Sequence, residues 1–515
     1  MSSLGLLFVV ALALRLWGSV LGLPHEYLPD ESQNLRVATG LAGKDYTPPG
    51  IQPGFLFYTL AAVLPVLREA GLQLAWIAGD VGQRVLSTGL SLDLWAGRAW
   101  MAVLSAATVV PLYLIGLRVW SVPAGLFAAF LFAVNPVSIA AAGYIKEDTP
   151  LTLWMSVTAL AAVRRLESRA RGDAALCGLA AGLCAGSKFS GVSALALALL
   201  PEVWLRRERA ATHFSLVVAM AAIGFLATTP WIIWDPWHLV EGMEYQAAYA
   251  LAGHHDGISL PIWKTWGFFY LTRSLLPAMG VAGLALAAWG ARSLLLARRD
   301  FALVLLAWTL GYLAMMEVVP AKPYPFFSRY VMPGLAGLCV VGGIGLAELR
   351  AMAVGEVRLL RRVFAGVVLS IALILPAQVA GRFVHGMYPD TRDLARDWIV
   401  DHARGGQVFF ASPYAPPLAD AGFKEFHLTL ITESRRCRTW PLHLVTSSLA
   451  LDRFRENPEA ASERRSRVMV AVDRATAVKS FRSTAPRFGF SNPEIEILRI
   501  DPNSMRQKEA HAYVR

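Results

Sequence analysis

The chain has 515 residues, of which 55% are hydrophobic and 17% charged, and its mean hydropathy is +0.46. A soluble domain carries about 25% charged residues, so most of this chain belongs in lipid; collagen-like, disordered and disulfide-scaffold classes are excluded. The remaining charge is lopsided, 48 Lys+Arg against 37 Asp+Glu for a net +11, which in a membrane protein is first a topology signal. No nucleic-acid partner is expected.

In chain order, Leu4–Leu23 is apolar except for Arg15 and lacks the basic start and small-residue cleavage site of a signal peptide, so it reads as a retained first helix. Phe55–Val66 is apolar over only about 12 residues with prolines at both ends, too short for a span and suited to an interfacial or re-entrant helix. Further apolar segments are Ala99–Leu117, Pro123–Ala142, Leu151–Ala162, Ala174–Ala185, Gly191–Leu205, Phe214–Thr229, Leu271–Leu295, Ala302–Val319, Val331–Leu349 and Phe364–Val379. The two around Lys188 form a short hairpin with Gly186-Ser187-Lys188 at its tip. With the first span these make about eleven.

That count sorts the arginines. With the N-terminus inside, Arg118, the cluster Arg164 to Arg171, Arg206 to Arg209, Arg292 to Arg299 and Arg350 to Arg362 all fall in cytoplasmic loops, the positive-inside pattern. Counting Phe55–Val66 as a span would put them outside. The outer face then receives loop 24–97, the Lys146-Glu147-Asp148 corner, the Lys188 tip, loop 230–270 and Lys322–Tyr330. From about residue 384 the chain changes character, with 20 Lys+Arg and 16 Asp+Glu. Strand-like runs at Val408–Ala411, Phe426–Ile431, Val468–Val472 and Ile495–Ile500, after an amphipathic helix Arg392–His402, predict a small α/β domain on the same outer side. The expected fold class is therefore an all-α polytopic membrane protein, residues 1–383, with a C-terminal extracytoplasmic α/β domain, residues 384–515.

The chemistry-bearing residues are few. Pro29 ends any helix continuing from the first span, and Asp30 can cap the next. Asp30 and Glu31 are thus either a cap with a solvated acid or carboxylates acting as general base or metal ligand. Lys146, Glu147 and Asp148 either anchor a helix end or make a second acidic corner facing the first. Lys188 near membrane depth either snorkels or holds a lipid phosphate. In the run Lys322 to Tyr330, aromatics and cations form an interfacial belt or a site in which Arg329 offers a fork and Lys322 a point charge to phosphate. His254 and His255, beside Asp256, suggest structural or substrate-contact roles more than zinc, because adjacent histidines chelate one ion poorly. Two acidic corners leave room for a divalent cation, but no ligand set is legible. Cys177, Cys184, Cys339 and Cys437 are too scattered for a disulfide framework or zinc site.

The ordered segments "LPDESQNL", "TPPGIQPGFLFYTL", "GRAW", "NPVSIAAAGYIKEDTPLTLW", "GLAAGLCAGSKFSG", "KPYPFFSRYVMPGLAGL" and "DTRDLARDWIVDHARGGQVFFASPY" resemble the GT-C membrane glycosyltransferases. The likeness is to the family 39-like group of protein O-mannosyltransferases and lipid A aminoarabinose transferases. The resemblance runs along nearly the whole chain, with a longer proline motif and an insertion at Arg68–Leu94. It implies a polyprenyl-phosphate-linked sugar donor, membrane lipids as surroundings, an unidentified acceptor, and inverting transfer on the outer face, in the plasma (inner) membrane if the host is bacterial. By position it makes Asp30 the catalytic base with Glu31 its neighbour. Glu147 and Asp148 become the second acidic motif, and Lys188, Lys322 and Arg329 the donor-phosphate ligands. Arg98, Lys146, His254, His255 and Tyr330 are candidate substrate contacts. A transporter or flippase of a lipid-linked substrate would also place charges near lipid, but the ionisable groups cluster on one face and no internal repeat is evident. A surface-polysaccharide polymerase or ligase would rest on Arg/His-rich outer loops rather than a first-loop acidic pair.

Overall fold

The computed structural model describes residues 2–43, 52–86, 88–168, 170–204, 210–252, 262–322, 325–355, 359–404, 407–430, 441–456 and 463–501. Helix α1 (Ser3–Trp17) opens on Ser2, whose hydroxyl accepts from the Gly5 amide at 3.2 Å. The loop after it carries α2 (Glu31–Ala42), α3 (Phe55–Ile77) and α4 (Gly79–Val85). A reciprocal Thr88–Ser91 capping box starts α5 (Gly89–Ala107), which passes through Thr108 into α6 (Val109–Val119). Then come α7 (Val122–Ala133), α8 (Pro136–Ala142), α9 (Asp148–Glu167), α10 (Arg171–Ser187), α11 (Ser193–Trp204) and α12 (Ala210–Thr228). A long connection holding α13 (Pro236–Ala252) and α14 (Ile262–Thr265) leads to α15 (Leu276–Ala297), α16 (Arg299–Val318), α17 (Met332–Val354) and α18 (Leu359–His385). Helix α17 is the buried centre: almost every residue from Met332 to Leu349 is inside, and α7, α9, α15, α16 and α18 pack around it. Glycines on α17 and on the helices against it permit this. A Cβ on Gly343 would meet the Ala124 carbonyl at 2.6 Å, and one on Gly290 would meet the Val341 carbonyl at 1.9 Å.

Arg15, the one charge in the first span, is fully buried for a local reason. Helices α7 and α8 meet at a 56° bend at Asn135-Pro136. Pro136 has no N–H for the Phe132 carbonyl, and the Val137 amide that would serve Ala133 is taken by Asn135 Oδ1 at 3.0 Å. Arg15 Nη1 supplies the donor missing at the Ala133 carbonyl, and Nη2 joins the Asn135 amide and the Ser138 hydroxyl on the Phe132 carbonyl, both arginine bonds being 3.0 Å long. It also donates to Ser138 Oγ and Ser105 Oγ, both at 2.7 Å. Each stranded buried acceptor costs about 1–3 kcal/mol. Arg15→Met is therefore expected to lower stability by about 3 kcal/mol, read as a lower thermal unfolding midpoint in detergent.

Eight helices of the described residues are long and apolar enough to cross a membrane, nine if the α7–α8 pair counts as one span. The chain is an integral membrane protein. The sequence reading of about eleven differs at α9, α10 and α11: α9 carries Asp148, Arg164, Arg165 and Glu167, and α10 and α11 have only 17 and 12 residues. These three pack among the other helices. The segment read as a short interfacial helix is 23 residues long, because Pro65 lies inside α3 instead of ending it. By length α3 can cross. Arg68 and Glu69 lie at mid-helix, and Arg68 pairs with Asp93, which favours a position along the interface.

After α18, Asp390 caps α19 (Thr391–His402), as the amphipathic pattern predicts. Five strands follow, β1 (Val408–Ala411), β2 (Lys424–His427), β3 (Leu442–Ser447), β4 (Thr476–Phe481) and β5 (Ile495–Ile500), with helices α20 (Ser448–Glu456) and α21 (Glu463–Asp473). The order is β2-β1-β3-β5-β4, parallel across β2, β1 and β3 and antiparallel on either side of β5. The expected strands at 408–411 and 495–500 are present, and the one at Phe426–Ile431 starts earlier, as β2. The expected strand Val468–Val472 is part of α21. Its buried residues, Val468, Ala471 and Val472, fall three and four apart, the helical spacing, beneath a misleading valine alternation.

Candidate active site

The start of α2 separates the two acids of the first loop. Asp30 stands in the left-handed region (φ 67°) and makes no side-chain cap, contrary to the expected capping role. Its side chain is 50% exposed and pairs with Lys146 Nζ at 3.0 Å. Glu31 is fully buried. It takes Arg98 Nε and Nη2 in a fork at 3.0 and 2.6 Å, and the Ile145 amide at 3.0 Å. Asn34, one turn on, donates to the Ile145 carbonyl at 2.9 Å. Helix α2 thus grips both ends of the residue that precedes Lys146. Arg98 completes its donors on the Ser19 and Leu21 carbonyls at 3.2 and 2.6 Å.

Beyond this clamp the charges divide into two halves. Asp148, buried at the start of α9, accepts from Lys188 Nζ at 2.7 Å and from Arg329 Nε at 3.1 Å. Two cations on one carboxylate leave this half at +1. Lys188, whose side chain is 28% exposed, lies 4.3 Å from the Tyr330 ring centre. The Arg329 guanidinium is 4.3 Å from that of Phe327 and 5.1 Å from that of Tyr330. Among the described residues Arg329 forms a hydrogen bond only through Nε. In the other half Lys146 stands between Asp30 and Glu147 (3.0 and 3.9 Å), leaving it at −1. Burial lowers the Lys146 pKa, but Glu147 and Asp30 more than offset it and hold the ammonium above its ordinary value. Tyr144 joins the halves: its ring lies 5.0 Å from the Arg329 guanidinium and 6.0 Å from Lys146 Nζ, and its hydroxyl donates to the Pro29 carbonyl at 2.6 Å. Glu147 Oε1 is buried with no hydrogen-bond partner among the described residues. Beside Arg329 an apolar recess is lined by Leu28, Tyr144, Phe383, Met387 and Phe490.

The arrangement has relatives. Residues 85–234 match the family model described as dolichyl-phosphate-mannose-protein mannosyltransferase. Over 284 residues the chain is 27% identical to the undecaprenyl phosphate-alpha-4-amino-4-deoxy-L-arabinose arabinosyl transferase 2 of Pseudomonas fluorescens, covering 52% of this chain and 45% of that relative. The chain therefore aligns with less than half the length of that relative. Its fold is similar to that of ArnT from Cupriavidus metallidurans bound to undecaprenyl phosphate, with a TM-score of 0.50 and 14% identity over 96% of this chain and 97% of that one. It is also similar to the Archaeoglobus fulgidus oligosaccharyltransferase, with a TM-score of 0.52 and 12% identity over 98% and 76%. The chain has the GT-C fold of membrane glycosyltransferases.

In this GT-C chain the residues singled out from sequence do not all meet. Asp30, Lys146, Glu147, Asp148, Lys188, Arg329 and Tyr330 come together. Glu31 and Arg98 lie directly behind them as a closed pair with no exposed surface, so Arg98 is an internal brace and not a substrate contact. Lys322 is buried elsewhere: its ammonium donates to the Met316 and Glu317 carbonyls, both at 2.7 Å, and lies 3.7 Å from Glu317 Oε2. It closes the end of α16, a common use of lysine at helix C-termini, and burial pushes its pKa down to about 8. His254 and His255 lie outside the described residues. Among the described residues no group of three or more His, Cys, Asp or Glu could hold a metal ion. Each carboxylate of the two acidic corners is paired with lysine or arginine instead, Glu147 most loosely, with Oε1 3.9 Å from Lys146 Nζ. Sequence reasoning missed Tyr144, although it stands inside a quoted motif. It also missed Phe490, which reaches the site from the C-terminal region and has no sequence signal.

Glu147→Gln removes charge and no hydrogen bond made by Oε1. The variant is expected to fold with an unchanged melting point and to bind a hydroxyl- or amine-bearing substrate about tenfold more weakly, because a charge-assisted bond contributes about 1.5 kcal/mol or more. Calorimetric titration in detergent reads the affinity, and a thermal unfolding scan reads the melting point.

Proposed function

We propose that this chain is an inverting glycosyltransferase that moves a sugar from a polyprenyl-phosphate donor to an acceptor nucleophile on the arginine-poor, outer face of the membrane. The observation that carries this is the division of charge across Tyr144. The half at +1, with Lys188 and Arg329 oriented by one shared carboxylate, suits a phosphate. The half at −1 presents a half-exposed carboxylate for a proton. The apolar recess beside Arg329 suits the first isoprene units, and the similarity to a GT-C structure bound to undecaprenyl phosphate points to the same donor class.

In the proposed reaction the acceptor oxygen attacks the anomeric carbon from the side opposite the phosphate. The new C–O bond forms as the bond from the anomeric carbon to the phosphate oxygen breaks, and its electron pair leaves with the polyprenyl phosphate. Asp30 takes the acceptor proton late, as the new C–O bond forms and charge leaves the acceptor oxygen. Lys188 and Arg329 stabilise the charge growing on the departing phosphate. Glu147 Oε1 accepts a hydrogen bond from the sugar. Glu31 and Arg98 hold the Asp30–Lys146 geometry without touching substrate. The C-terminal α/β unit lies on the same outer face.

The test is to reconstitute the protein in vesicles with undecaprenyl-phosphate-linked pentose or hexose and a membrane lipid fraction as acceptor. Release of undecaprenyl phosphate together with a glycosylated product of inverted anomeric configuration is expected. Movement of intact donor across the bilayer without cleavage would instead establish a flippase.

A further inference from the structure

Behind the site, one side chain of the C-terminal α/β unit ties that unit to the loop that carries Asp30. Arg392, in the first turn of α19, is fully buried and forks onto Asp390 through Nε and Nη2, both at 2.8 Å. Of its remaining bonds, one leaves its own unit for Tyr27 and one reaches Phe490 within it. Nη1 donates to the Tyr27 carbonyl at 3.2 Å, and Nη2 to the Phe490 carbonyl at 3.0 Å. The guanidinium also stacks 4.2 Å from the Tyr27 ring centre, while the Tyr27 hydroxyl donates to Asp393.

Both carbonyls belong to short leads into the chemistry. From Tyr27 the chain runs through Leu28, buried against Tyr144, Phe327 and Phe490, and Pro29, held by the Tyr144 hydroxyl, to Asp30 in its left-handed conformation. From Phe490 the ring packs edge-on against Tyr144 at 5.2 Å and Phe327 at 5.7 Å, and its centre is 5.7 Å from the Arg329 guanidinium. Asp390 is fixed in turn by the Asn492 amide at 3.1 Å, and Asn492 Oδ1 accepts from the Thr391 amide at 3.0 Å. The guanidinium is therefore a rigid node between the segment ending in the carboxylate and the segment packed on the phosphate-facing arginine.

We propose that Arg392 is a positioning residue for transfer: it sets Asp30 against Arg329 across Tyr144, and so makes the C-terminal unit a working wall of the active site. The inference rests on the transferase reading above. Loss of the bond to Tyr27 lets the Asp30 segment shift. A displacement of about 1 Å at a reacting group lowers rate by about a hundredfold without any change in what binds.

The experiment measures transfer and donor binding by the full-length protein with undecaprenyl-phosphate sugar, in Arg392→Gln and, separately, Tyr27→Phe, which keeps the ring and removes only the hydroxyl bond to Asp393. The expected result is kcat lower by about tenfold to a hundredfold in Arg392→Gln and by a smaller factor in Tyr27→Phe, with donor KM within twofold of wild type in both. A merely structural role would lower the melting point and the active fraction and leave the kcat of the folded fraction intact. Unchanged kcat in both variants, or a loss that follows donor affinity, overturns the proposal. If Arg392→Gln does not fold, Arg392→Lys, which keeps the buried charge and loses the fork, decides by the same two quantities. Failure of the transferase reading itself is separate, because it shows as full transfer by Asp30→Asn or none by wild type.

Discussion

In Asp30→Asn, kcat for transfer is expected to fall by about 10²–10⁴-fold, the usual contribution of a general base, with donor affinity and melting point close to wild type. Asparagine is the clean replacement here. Asp30 sits at φ 67°, a region that asparagine tolerates and alanine does not, so Asp30→Ala would mix strain with lost chemistry. The Asp30 side chain is half exposed, so water screens its ion pair with Lys146, and Glu147 still faces that ammonium at 3.9 Å; folding therefore survives the loss of charge. Donor binding survives because Lys188 and Arg329 are oriented by Asp148 and not by Asp30. Single-turnover kinetics with labelled donor separate the two quantities. Transfer near the wild-type rate would remove Asp30 from the mechanism.

One residue along, the outcome is opposite in kind. Glu31→Gln is expected to lower stability by about 3–5 kcal/mol, the effect of breaking a buried pair and leaving one charge behind. Neither Glu31 nor Arg98 has any exposed surface, so the unpaired guanidinium has no water to turn to. The glutamine amide also cannot accept at both oxygens, so one of the Arg98 fork and the Ile145 amide is left without its acceptor. Removing both charges together, as in Glu31→Gln with Arg98→Met, is expected to recover much of the loss, because a well-packed apolar replacement of a buried pair is often neutral. Melting points of the two single variants and the double variant in one detergent check this. A double variant no more stable than Glu31→Gln would show that the clamp on Ile145, and not the charge, governs the fold here.

Neighbouring acids with opposite fates show where sequence reading stops. "LPDESQNL" identified a helix start with two carboxylates, and nothing in the spacing said which would face the opening. That was decided by Arg98, 67 residues downstream, and by the Ile145 backbone, which together need a buried acceptor at position 31. Lys322 and Arg329 looked equivalent as basic residues of one aromatic run. The end of α16 claims the first through its Met316 and Glu317 carbonyls, and Asp148 claims the second. Arg15 gave no sign of its partners, because the acceptors it serves are freed by a proline more than a hundred residues away. In the C-terminal unit, β5 and α19 were legible from local pattern. α21 was not, because a valine alternation and a helical stripe coincide over so short a run.

By itself, then, the amino-acid sequence determined that this chain is a polytopic membrane protein, and it set the expectation that a few charges gather on one face. These follow from hydropathy and from the sidedness of arginine, which are additive along a chain and need no knowledge of contacts. Only the tertiary structure decided which carboxylate is presented and which is locked, and which cations share Asp148. It alone showed that the C-terminal unit reaches the site through Phe490 and is tied behind it by Arg392. Those outcomes depend on which buried donor finds which acceptor, and burial makes that pairing obligatory between residues that lie hundreds of positions apart.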